Sequence, residues 1–291
     1  MLLVPCLGWA LLIGVRLSDH APVMGALSSN DHLRKQPLVE ALQQGCVAAE
    51  VEVTLSDGAL VLATKQSEKP LFVVSYLEPL VSRMRSRQGR VWSGGPTFTL
   101  FVKTKLPIKE VGLSLERCLE PYSELLTDLK DGVRNEKGLT VVLQVGNSKA
   151  FGSKLFFCEG RPEDLVQVDA ERSKLYIADN WLLQVRWLGI GRFDSVRRQQ
   201  FLDSVVRAHT QGRIIRYWGT PDNPAVWNNL IDARVDFIGS ENLGALTDFL
   251  ERHPMKVRQT VPGKNDGGGG TRMVHNGDNG LFVGRSMGRR E

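Results

Sequence analysis

Cysteine is scarce in this chain and badly spaced for most of its chemistry. Four occur in 291 residues (Cys6, Cys46, Cys118 and Cys158), and no two form a Cys-x-x-Cys pair. That spacing excludes a zinc ribbon and a thioredoxin-like motif, and four thiols are too few to staple a chain this long. The fold must therefore rest on its core. No apolar run reaches the ~20 residues that a membrane-spanning helix needs. A concentrated basic surface is also missing, although the net charge is +5. From Glu251 to Glu291 there are eight Lys/Arg against four Asp/Glu, so the preceding 250 residues carry only +1. Nucleic-acid binding by the folded body is excluded on that count, since phosphate affinity needs clustered positive charge.

What is present is ordinary globular material, 42% hydrophobic and 24% charged, enough for one large barrel or two average domains. Leu2 to Val15 is apolar and suits the h-region of a signal peptide, although no Lys or Arg precedes it. Met24-Gly25-Ala26 offers a small-residue cleavage point, so residues 1–26 read as a signal-peptide-like segment. The mature chain would then begin near Leu27 and be secreted or extracytoplasmic. The alternatives are a membrane anchor or a buried first strand. Residues 254–291 form a Gly-rich basic tail, expected to be flexible, with nine Gly among the last 33 residues.

Between these ends, short β-branched runs alternate with helical stretches. Strands are expected at Val47–Leu55, Ala59–Ala63, Thr97–Thr104, Thr140–Val145, Lys154–Cys158, Ile214–Trp218 and Val235–Ile238. Helices are expected at Pro37–Gln44, Leu113–Leu129, Val196–Thr210, Ala225–Ala233 and Leu243–Leu250. Strands repeatedly followed by helices imply a parallel sheet, and six to eight such units suit a single (β/α)8 TIM-type barrel over residues 27–253. An open doubly wound sheet is the alternative, but no Gly-rich phosphate fingerprint follows the first strand.

In such a barrel the chemistry sits at the C-terminal ends of the strands. Glu50 and Glu52 are two residues apart on one strand and share a face, where two carboxylates repel unless a cation or proton relieves them. Mg or Ca would suit that oxygen-rich pair. Lys103, in the middle of an apolar strand, needs an anionic partner. On these residues alone a metal-assisted phosphate site, an outward orientation and mutual pairing stand level.

The order Asn30-Asp31, Pro37-Leu38-x-x-Ala41-Leu42-x-x-Gly45-Cys46-x-x-x-Glu50-x-Glu52, Asp57-Gly58-x-Leu60 resembles the start of the phospholipase-C-like phosphodiesterases. Within them it is most similar to the branch of the altered inheritance of mitochondria protein 6 family and its bacterial relatives. Further matches are Lys103-Thr104, Gly146-Asn147, Glu159-Gly160-Arg161-x-x-Asp164-Leu165, Asp179-Asn180 and Ala208-His209-x-x-Gly212-Arg213. Arg216-Tyr-Trp-Gly-Thr-Pro-Asp222, Trp227 and Val235–Ile238 follow. The resemblance implies a TIM barrel that cleaves phosphodiesters with a His nucleophile or base, a His general acid, and Mg or Ca on a carboxylate cluster. It assigns metal to Glu50 and Glu52, the phosphate of a phosphodiester or phospholipid headgroup to Lys103, and pocket positions to Asn30 and Trp218.

The catalytic positions themselves depart from the pattern. The His-x-His pair falls on Leu27 and Ser29, the later His on Thr64, and the acidic ligand two residues before Lys103 on Phe101. The five histidines are His20, His32, His209, His253 and His275. His32 stands where the family has Tyr, and His209 belongs to a helix-end pattern. Leu and Thr cannot shuttle protons near neutral pH. Three readings follow: a family barrel with lost or reduced turnover and weak metal affinity, an active enzyme using a hydroxide on a Glu50/Glu52 metal, and a non-catalytic binding barrel. Peripheral membrane contact is also expected from the lipid-headgroup chemistry.

Overall fold

The computed structural model describes residues 20–65, 67, 69–130, 133–145, 151–165 and 174–255. The apolar N-terminal run, the Gly-rich tail and the Gly146-Asn147 motif lie outside them. Among the described residues no helix is long and apolar enough to cross a membrane.

Among the described residues eleven strands occur in the order β1 (Val23–Ser28), β2 (Cys46–Ser56), β3 (Ala59–Leu62), β4 (Phe98–Thr104), β5 (Asp128–Lys130), β6 (Val133–Asn135), β7 (Leu139–Gln144), β8 (Phe157–Gly160), β9 (Tyr176–Asn180), β10 (Ile214–Trp218) and β11 (Phe237–Ser240). Eight of them run parallel in the ring β1-β11-β10-β9-β8-β7-β4-β2, and the β1–β2 pairing closes it. β3 pairs antiparallel with the outer part of β2, and β5 and β6 form a separate hairpin. The six α-helices among the described residues are α1 (Val39–Gln43), α2 (Glu78–Arg85), α3 (Ile108–Leu119), α4 (Ser195–Thr210), α5 (Pro224–Asp232) and α6 (Leu243–Arg252). The chain is a (β/α)8-type barrel.

Alternation along the strands explains the layering. Leu27, Ala48, Phe101, Val142, Phe157 and Tyr176 point inward and fill the barrel. The opposite faces of β2, β4 and β7 pack against α2 and α3, while those of β10 and β11 pack against α4, α5 and α6. The later helices begin on side-chain caps: Asp194 accepts from Arg197 N, Asn223 from Ala225 N and Asn242 from Ala245 N.

Several sequence expectations need correction. The barrel starts at Val23, four residues before the boundary drawn at Leu27, and Ala26 pairs with Ile238. Cleavage after Ala26 would remove most of β1. Met24, Gly25 and Ala26 lie within β1. Gly25 sits at φ 79°, where a Cβ would meet the Met255 side chain and Asp236 O. The helix expected over Leu113–Leu129 starts earlier and stops at Leu119, passing into a 3-10 turn over Glu120–Leu125 that contains Pro121. The strand expected at Lys154–Cys158 lies at Phe157–Gly160, which carries Glu159 to the barrel mouth. β1, β9 and the helical stretch Val73–Arg85 have no counterpart in the sequence reading.

Candidate functional site

A cleft of about 340 Å³ opens at the C-terminal mouth of the barrel. Of the residues singled out from sequence, it brings together Leu27, Ser29, Asn30, Glu50, Lys103 and Trp218. Glu52, Phe101 and Thr64 are not part of its lining. Phe101 is buried inside the barrel, and Thr64 lies just past β3.

The two carboxylates expected to share a cation each have their own. Glu50 accepts from Arg216 Nη1 at 3.0 Å and from Gln144 Nε2 at 2.9 Å. Arg216 also donates through Nε to Glu159 Oε1 at 2.7 Å and through Nη2 to Glu159 Oε2 at 3.3 Å. Its guanidinium lies 4.4 Å from the centre of the Phe101 ring. The strand registers dictate this arrangement. Glu50 is level with Phe101, and Gln144 is level with Glu159, all on inward-facing positions. Glu52 is level with Lys103, which lies 3.4 Å away, while Lys105 Nζ reaches the other oxygen at 3.0 Å.

These contacts set the protonation states. Burial works against the Glu50 carboxylate, but Arg216, the Gln144 amide and Lys103 outweigh it and hold Glu50 below the ordinary range. Glu159 moves the other way, because its burial and the like charge of Glu50 outweigh Arg216. Arg216 itself is held charged by Glu159 and Glu50 against its burial. In the interior one guanidinium thus joins two carboxylates, and at the rim two lysines share one.

The donor set does not fit Mg or Ca. Glu50 and Glu52 are each engaged by protein cations, and no group of three His, Cys, Asp or Glu among the described residues is placed to hold a metal.

Asp31 is an anchor and no part of the cleft. Fully buried, it accepts from Ser28 Oγ at 2.5 Å, Leu38 N at 2.6 Å and Tyr76 Oη at 2.7 Å. His32 is buried beside it, and its Nδ1 accepts from the Glu52 N–H at 3.2 Å. Burial lowers the His32 pKa below 6.5, with Lys103 reinforcing the shift and Glu52 opposing it. The neutral ring is therefore built into the fold. The unfolded chain takes up a proton as pH falls below 6.5 while the folded chain resists, so stability present above 6.5 should be lost below it. Replacing His32→Gln should flatten that decline in urea unfolding measured from neutral to mildly acid pH. An unchanged slope would contradict this account. Burial raises the Asp179 carboxyl to about 6. It accepts from Asn180 N at 2.8 Å and does not line the cleft.

Arg216, Glu159 and Asp222 stood in sequence motifs without a role attached, whereas Gln144 and Glu241 were not singled out at all. A signal for Arg216 was available: Ile214, Arg216 and Trp218 alternate along β10, so one inward position held a charge.

No family model matches the chain, and no curated protein matches it. Among solved structures it is similar to a glycerophosphodiester phosphodiesterase from Parabacteroides distasonis ATCC 8503, at 13% identity and a TM-score of 0.48. That similarity covers 80% of this chain and 100% of the other. The barrel assignment rests on the closed strand order of this chain.

Proposed function

We propose that the barrel mouth binds a small phosphate-ester headgroup without hydrolysing it, in a chain of phospholipase-C-like ancestry. Lys103 carries this reading: it lines the cleft and shares the Glu52 carboxylate with Lys105, which leaves its ammonium able to meet an incoming anion. Around it stand Asn30, Asp222 and Glu241, suited to hydroxyls or an amine, and the half-exposed face of Trp218. The phosphate would face Lys103 and the remainder of the headgroup the acidic side.

The same geometry argues against turnover. Where the resemblance calls for a histidine, Leu27 forms apolar floor, and Phe101 supports Arg216 in place of an acidic ligand. His32 has its Nδ1 lone pair committed to Glu52 N–H. Losing one member of such a catalytic set typically costs orders of magnitude.

Calorimetry with glycerophosphocholine, glycerol 3-phosphate and inorganic phosphate, beside hydrolysis of bis(4-nitrophenyl) phosphate with Mg or Ca, tests the proposal. The expected result is binding of at least one ester, roughly tenfold weaker in Lys103→Met, with hydrolysis at background. Hydrolysis abolished by Glu50→Gln would instead establish an active metal-dependent enzyme. No binding and no hydrolysis would reduce the cleft to a structural feature.

A further inference from the structure

The segment linking β9 to α4 exposes apolar side chains that its own architecture could have buried. Trp181, inside the fold, donates from Nε1 to Trp187 O at 2.6 Å. Trp187 stacks on Phe193 with ring centres 4.6 Å apart and planes 7° from parallel. Arg186 and Arg197 hold the loop's carbonyls, donating to Leu183 O at 2.8 Å and Gln184 O at 3.1 Å. This scaffold is well connected, yet it presents Leu182, Leu183, Leu188 and Ile190 to solvent, Ile190 at 80% exposure.

Position and charge say what this surface meets. Gly219, on the cleft wall beside exposed Trp218, is near enough that a Cβ there would lie 3.9 Å from Leu182 Cδ1. Gly189 lies against the Asn223 side chain, next to Asp222 of the cleft. Leu182 and the turn at Gly189, between Leu188 and Ile190, therefore adjoin the cleft. Residues 181–198 contain four arginines and one acid, Asp194, whose carboxylate caps α4. Protruding aliphatic residues in one stretch with the exposed Arg186, Arg192 and Arg198 match the two layers of an anionic bilayer surface, acyl boundary below and phosphates above.

We propose that this loop docks the barrel mouth onto an anionic membrane surface. The inference goes beyond the headgroup reading and holds whether or not the cleft binds a phosphate ester. The test is flotation of the full chain with vesicles of phosphatidylcholine alone and of phosphatidylcholine with phosphatidylserine. Binding should favour the anionic vesicles, weaken at high salt, and fall roughly tenfold or more in Leu188→Ser/Ile190→Ser. Arg192→Gln and Arg198→Gln should each cost roughly fivefold on anionic vesicles only. These side chains are exposed, so the variants should unfold like the parent. Any contribution of the Leu2–Val15 run is common to parent and variants, and the difference between them isolates the loop. Equal binding by the double variant, or no binding by the parent, overturns the proposal. Concentration-dependent self-association that the double variant abolishes, without vesicle binding, would overturn it in favour of a protein interface.

Discussion

Replacing Arg216→Met should lower the unfolding free energy by about 3 to 5 kcal/mol, the usual cost of removing one partner from a buried ion pair. The change leaves Glu50 and Glu159, both buried, without the guanidinium that joins them. It also removes the cation above the Phe101 ring. Much of the loss comes from the stranded carboxylates, so Arg216→Met/Glu50→Gln/Glu159→Gln should recover more than half of it. Urea unfolding of parent, single and triple variants checks both statements. Arg216→Lys should also be costly, since an ammonium cannot reproduce the two-pronged contact with Glu159. A single variant as stable as the parent would mean that the barrel mouth is not organised around this triad.

The second large effect is expected at Asp31. Leu38 has φ 64° and ψ −42°, with Val39 N donating to Pro37 O at 2.7 Å. This is a γ-turn of the rare, strained kind, at a residue with a branched side chain. Asp31 accepts the Leu38 N–H and so helps to hold that turn, while also satisfying Tyr76 Oη and Ser28 Oγ. Asp31→Ala leaves these donors buried without their acceptor and the strain without its restraint. A loss of about 4 kcal/mol is expected, or roughly 8 to 16 °C in the thermal midpoint. Asp31→Asn keeps one acceptor oxygen and should fall between the two. Asp31 would be no anchor if the alanine variant melted with the parent.

These two residues also separate what was legible from what was not. Asn30-Asp31 stood out as a motif, and the motif is real, but its aspartate serves the turn at Leu38 and does not reach the cleft. Arg216 stood in a longer motif without any role attached. A buried Arg reads in sequence as one more charge; which carboxylates it meets depends on strands 166 and 57 residues away. The missed elements have local reasons. β9 is only five residues long and ends in Asp179-Asn180. Val73–Arg85 has Pro79 near its middle and no side-chain cap at its start, so the usual marks of a helix are absent.

The sequence by itself determined a parallel α/β sheet, because strands alternating with amphipathic stretches bury both faces of β2, β4 and β7 under helices. It favoured a barrel over a doubly wound sheet, but the β1–β2 pairing that closes the ring belongs to the tertiary structure. The sequence likewise determined that Glu50 and Glu52 share a face, because alternation along a strand is local geometry. Only the tertiary structure decided what those carboxylates do. Closing the ring brought Arg216 and Gln144 to Glu50, and the β2–β4 register brought Lys103 to Glu52. The physical reason is range: side-chain direction is set by neighbours in the chain, whereas the partner of a buried charge is set by strand register across the barrel. A pair that suggested a divalent cation thus became two separate ion-paired clusters, one in the interior and one at the rim.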